Sequence, residues 1–101
     1  MDLYVIRRSS AWANLEELGA AAERSARIGN DEMADRIRWI RTYIVEEPDG
    51  RIGTVCIYQA RDRDSIREHA RRVGMPGDAF NRVVQTAVIR EDPVDHREAA
   101  E

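Results

Sequence analysis

Apolar residues along this chain follow two kinds of spacing. Leu3 to Arg8, "LYVIRR", is a short aliphatic and aromatic run ending in charge, and it predicts a strand. In the following "SSAWANLEELGAAAERSARIG", Leu15, Leu18, Ala22 and Ala26 recur every three or four residues, which lines them along one face of a helix. Ser9 or Ser10 supplies the N-cap, and Gly29 with Asn30 supplies the left-handed exit. Ile37 to Val45 and Ile52 to Ala60 are rich in β-branched and aromatic residues, and Pro48, Asp49 and Gly50 between them have the chemistry of a tight turn. Together they predict a β-hairpin. Asp62 or Asp64 then caps a second helix through Val73, stopped by Gly74 and barred from continuing by Pro76. "NRVVQTAVI" predicts the final strand.

The order β-α-β-β-α-β predicts an α+β, ferredoxin-like fold: a four-stranded antiparallel sheet with two helices on one face. The expected domain covers residues 1–90. Residues 91–101, "EDPVDHREAAE", have no apolar period and are expected to form a flexible C-terminal tail. Alternation sorts each strand into two sets. Leu3, Val5, Ile40, Ile44, Val55 and Ile57 form an aliphatic set suited to lie beneath the helices. Tyr4, Ile6, Trp39, Arg41, Tyr43, Cys56 and Tyr58 form the other, which leaves an aromatic face uncovered. Exposed aromatic faces mark interfaces, so a homodimer is expected, the two sheets stacking into a dimeric α/β barrel. Tyr4, Trp39, Arg41, Tyr43, Cys56 and Tyr58 then line a ligand cleft between the sheets.

Composition narrows the partners. A hydrophobic fraction of 43% beside 35% charged residues describes a chain that folds, since disorder needs far fewer branched aliphatics. Sixteen basic and nineteen acidic side chains alternate without a basic stripe, at a net charge of −3, which argues against nucleic acid as a partner. No apolar run reaches the roughly 20 residues of a membrane span, and "MDLYVIRR" lacks the apolar core of a signal peptide. A cytoplasmic location is expected, in keeping with a single cysteine.

Candidate chemistry is sparse. Cys56, central on a strand, reads either as a small buried hydrophobe or as a metal-binding or redox-sensitive thiol supported by a neighbouring cation, for which Arg41 is placed. His69, at the flank of the second helix, reads either as a histidine bonded to backbone or as a metal ligand or proton carrier. Because its helix lies behind the aliphatic set, alternation separates it from Cys56 by the sheet. His96, near Glu91, Asp92 and Asp95, is a loose cation site or a solvated tail residue. The chain contains no CxxC, HExxH, Walker or GxSxG motif. An enzymatic alternative uses Tyr43 or Tyr58 as a proton donor to a hydrophobic small molecule, oriented by Arg41 and Trp39, in the manner of an isomerase or oxygenase.

Trp39 and Tyr43, then Cys56, Tyr58 and Ala60, then Ile66, Arg67, His69, Ala70, Gly74 and Pro76 stand in a spacing that resembles a family of small bacterial ferredoxin-like domains with a nickel-binding characterised relative. The resemblance covers Leu3 to about Ile89. It implies a dimeric barrel in the cytoplasm and nickel as the metal, with His69 and Cys56 as donors inside the shared pattern. The expectation is therefore a dimeric metal- or small-ligand-binding protein. Whether it is an enzyme, what its physiological ligand is, and what the tail does are not fixed by the sequence.

Overall fold

The computed structural model describes residues 1–94. Its elements are β1 (Asp2–Trp12), α1 (Leu15–Asp31), β2 (Ile37–Glu46), β3 (Ile52–Ala60), α2 (Arg63–Val73) and β4 (Phe80–Arg82). The strands form one antiparallel sheet in the order β2-β3-β1-β4. This is the expected β-α-β-β-α-β topology of a ferredoxin-like α+β fold.

Local chemistry explains where the elements start and stop. The Asn14 side chain accepts from the Glu17 amide at 2.8 Å and caps α1, while Asp62 does the same for α2 through the Ser65 amide. Gly74, at φ 84°, closes α2 in the left-handed region, and Gly50, at φ 82°, turns the hairpin. Ser9 and Ser10 do not cap α1, because β1 carries on to Trp12. The strand bulges between Arg8 and Trp12, and Ser10 takes φ 50° there with its amide donated to Glu47 Oε2. Arg7 holds the same carboxylate with two bonds, of 2.8 and 2.7 Å. Helix α1 also runs past Gly29 to Asp31.

The final strand is shorter than expected. Antiparallel pairing carries β4 from Ile6 toward the start of β1, and after the Val83 amide bonds the Leu3 carbonyl the register leaves β1 behind. Residues 84–94 are exposed.

The two faces are the reverse of the expected assignment. The helices cover Tyr4, Ile6, Cys56 and Tyr58, which are buried with Ile28, Met33, Ile66, Val73 and Phe80, while Leu3, Val5, Val55 and Ile57 on the other face are only partly covered. The pairing of β1 with β3 keeps each set together, with Tyr4 opposite Tyr58 and Ile6 opposite Cys56. Strand β2 breaks the alternation. A bulge between Trp39 and Arg41 leaves Trp39 opposite Tyr58 but places Arg41 opposite Ile57 and Tyr43 opposite Val55, so the latter two lie on the uncovered face. The buried stripe of α1 is Leu18, Ala21, Ser25 and Ile28, and Leu15 is 62% exposed. Among the described residues no helix is long and apolar enough to cross a membrane.

Candidate functional site: a cleft between α1 and the β2 edge

Strand β2 is an edge strand, and where α1 passes over it a cleft of about 380 Å³ opens, walled by Ser25, Gly29, Ile37, Trp39, Tyr58 and His69 among others. The Trp39 ring lies on the Tyr58 ring, with centroids 5.8 Å apart and planes 4° from parallel, a favourable offset stack. Trp39 is 38% exposed and forms the outer edge of the site, whereas Tyr58 is buried. The bulge in β2 is what turns Trp39 inward.

Polar groups in the wall are tied to one another. Tyr58 Oη and Ser25 Oγ are 3.1 Å apart, Ser25 Oγ and His69 Nε2 are 3.4 Å apart, and His69 Nε2 lies 3.1 Å from the Ser25 carbonyl oxygen. A carbonyl oxygen only accepts, so Nε2 carries the proton and donates it there, which leaves the ring's lone pair on Nδ1. His69 therefore cannot take a proton from the Ser25 hydroxyl through Nε2. Burial pushes the Tyr58 phenol up to about 12, against the opposing bond from Ser25, and makes it a poor acid at neutral pH.

Burial also holds the His69 pKa below its ordinary value, against the upward pull of the Ser25 carbonyl and with help from Arg8 and Arg72. The unfolded chain, with a histidine near 6.5, then binds the proton more readily than the folded one. Stability is complete above that value and is lost as pH falls below it toward the depressed folded value. The urea midpoint is expected to drop between about pH 7.5 and 5.5 and to flatten in His69→Gln, which retains a donor for Ser25. An unchanged slope in that variant would assign the effect elsewhere. Carboxylates act in a separate, more acidic window, Glu68 being drawn down to about 2 by its bonds to Arg71 and Arg72.

Of the six residues expected to line a cleft, the structure brings Tyr4, Trp39, Cys56 and Tyr58 to the helix-covered side. Arg41 and Tyr43 lie on the uncovered face, where Arg41 Nη1 donates to Tyr43 Oη at 3.1 Å and to Asp92 Oδ2 at 3.4 Å, and Tyr43 Oη donates to the same carboxylate. The sheet thus separates Tyr43 from Trp39, whereas Tyr58, the other expected proton donor, shares the cleft lining with Trp39 and Arg41. Cys56 and His69 instead share a side, contrary to the separation inferred from alternation. The cation beside Cys56 is Arg8, with Nη1 3.4 Å from the sulfur, and Thr42 Oγ1 donates to the same sulfur at 3.2 Å. Sequence reasoning passed over Arg8, Ser25, Thr42 and Thr54. Continued alternation from Tyr4 and Ile6 pointed to Arg8, and three- and four-residue spacing from Leu18 and Ala21 pointed to Ser25.

The described residues of one chain do not make a nickel centre. No three His, Cys, Asp or Glu side chains among them come together. The residue that meets His69 is Tyr58, with ring centroids 5.6 Å apart, and the Cys56 sulfur already accepts from two donors. His96 lies outside the described residues.

No curated protein matches the chain. One solved structure similar to it is that of SCO4226 from Streptomyces coelicolor A3(2), at a TM-score of 0.66 and 14% identity over 84% of this chain and 99% of that one. At that identity the likeness shows the fold. The model of the nickel-responsive, SCO4226-like proteins matches residues 4–83, from the β1 tyrosine through both helices to the end of the sheet, and the chain belongs to that family.

Proposed function

We propose that this protein is a homodimeric, non-catalytic binding protein that holds a small ligand in the cleft between α1 and the β2 edge. The observation that carries the reading is the commitment of the His69 Nε2 proton to the Ser25 carbonyl. With it, the Ser25, Tyr58 and His69 wall of the cleft presents no activated nucleophile. Dimerisation is supported by the sheet face away from the helices, where Leu3, Val5, Val55 and Ile57 are only partly buried although residues 83–92 run alongside it. The pairing surface is thus aliphatic instead of aromatic, with Tyr43 and Arg41 toward its border.

A second reading is favoured by the family match: nickel as the ligand, with His69 through Nδ1 and Cys56 as donors. It requires further donors from outside the described residues of one chain.

Native mass spectrometry of protein purified without chelators separates these readings. A two-chain ion carrying a small organic mass supports the first, and Ile57→Glu, which sets a charge in the pairing face, converts it to single chains. A bare single chain at micromolar concentration overturns it. Two nickel ions per dimer, lost in His69→Ala and Cys56→Ala, support the second, and nickel retained in both variants removes these two residues as its donors.

A further inference from the structure

A second cavity, of about 100 Å³, adjoins the cleft beneath the same aromatic wall. Arg8 and Thr54 line it together with apolar side chains including Trp12, Leu18, Ile44 and Met75. Arg8 is 1% exposed. Its Nε donates to the Pro76 carbonyl at 2.6 Å and its Nη1 to the Cys56 sulfur at 3.4 Å, while Nη2 has no partner. Thr54 Oγ1 is buried and likewise without one. No carboxylate among the described residues pairs with Arg8.

A guanidinium buried without an anion leaves its charge uncompensated. Arg8 and Thr54 are cross-strand partners, so the unused Nη2 of one and the unused hydroxyl of the other supply donors for a single anionic head group, and most of the remaining wall is hydrocarbon and aromatic. We infer that this cavity binds a short aliphatic monocarboxylate, its carboxylate on Arg8 Nη2 and Thr54 Oγ1 and its alkyl body among Trp12, Leu18 and Ile44. The volume limits the body. An engineered cavity of about 150 Å³ accommodates benzene, so this one, about two-thirds that size, suits an alkyl body of about three or four carbons with the head group in space the wall gives up. Both donor atoms are covered in the free chain, so binding requires the cavity wall to move, and Met75, an adaptable and only partly buried side chain in that wall, is the one proposed to give way. Trp39 and Thr42 border both this cavity and the larger cleft, which gives the route of entry.

The inference goes beyond the small-ligand reading proposed above, since it assigns a second site that adjoins the cleft without being part of it. The test titrates the intact protein with sodium isobutyrate, its neutral isostere isobutyramide, and inorganic phosphate, followed by tryptophan fluorescence and thermal midpoint. The acid is expected to saturate and raise the midpoint, with the amide and phosphate at least tenfold weaker. Arg8→Met, which fills the same space without the charge, is expected to keep or raise the ligand-free midpoint and to weaken the acid at least tenfold. Equal binding of acid and amide overturns the carboxylate assignment while leaving a small-ligand cleft in place. Binding unchanged in Arg8→Met overturns Arg8 as the anchor, and no response to the acid up to tens of millimolar overturns the inference. A co-purified mass in the native dimer stands or falls separately.

Discussion

Tyr58→Ala is expected to lower the unfolding free energy by about 3–5 kcal/mol, the range for removing a large aromatic ring from a packed core. The ring is 2% exposed, stacks on Trp39 and meets the His69 ring, so no neighbour is free to fill the space it leaves. Tyr58→Phe separates packing from hydrogen bonding. It keeps the stack and removes only the contact with Ser25 Oγ, whose hydroxyl still has His69 Nε2 within 3.4 Å. Its cost is therefore expected to be about 1 kcal/mol. Urea unfolding of the three proteins checks both values, and near-equal losses in the two variants would mean that the hydroxyl, not the ring, holds the cleft together.

That Tyr58 belongs to the core was not legible from alternation. The two residue sets within β1 and β3 were readable, but which set the helices cover was not, because an aliphatic set suits a helix-packed face and an exchangeable dimer face equally well. Tyrosine settles beneath the helices here because Ser25, on the buried stripe of α1, supplies a partner for its hydroxyl. That partner is a long-range feature with no local signature. The bulge in β2 has none either, and it divides the aromatic set by carrying Arg41 and Tyr43 through the sheet. By contrast, the hairpin turn at Gly50 and the Gly74 end of α2 are fixed by residues within a few positions and were legible, and the start of α2 was legible as Asp62 or Asp64, of which Asp62 is the cap. Asn14 as the cap of α1 was missed for a related reason. Ser9 and Ser10 have the right chemistry, but the anchoring of Ser10 on Glu47, far along the chain, holds them in the bulged end of β1, short of the helix.

Gly77→Val is expected to lower stability by about 1–3 kcal/mol and to weaken the Arg8 site at the same time. A Cβ built at residue 77 would overlap the Cβ of Ala70, with the Ala70 Cα at 3.7 Å and the Ile66 carbonyl oxygen at 3.8 Å. Both residues belong to the buried stripe of α2, so the helix cannot give way without opening the core, and the loop must move instead. The residue before it is Pro76, whose carbonyl takes the 2.6 Å bond from Arg8 Nε. Displacing the loop therefore loosens the guanidinium that faces the second cavity. Gly74→Ala is the control, because that glycine has a left-handed backbone but open space around it, so its loss comes from strain at the helix end. Ala70→Gly in the Gly77→Val background removes the overlapping methyl. It is expected to restore isobutyrate binding while costing about 1 kcal/mol as a glycine inside a helix. If the double variant binds no better than Gly77→Val alone, close approach of the loop to α2 is not what positions Arg8.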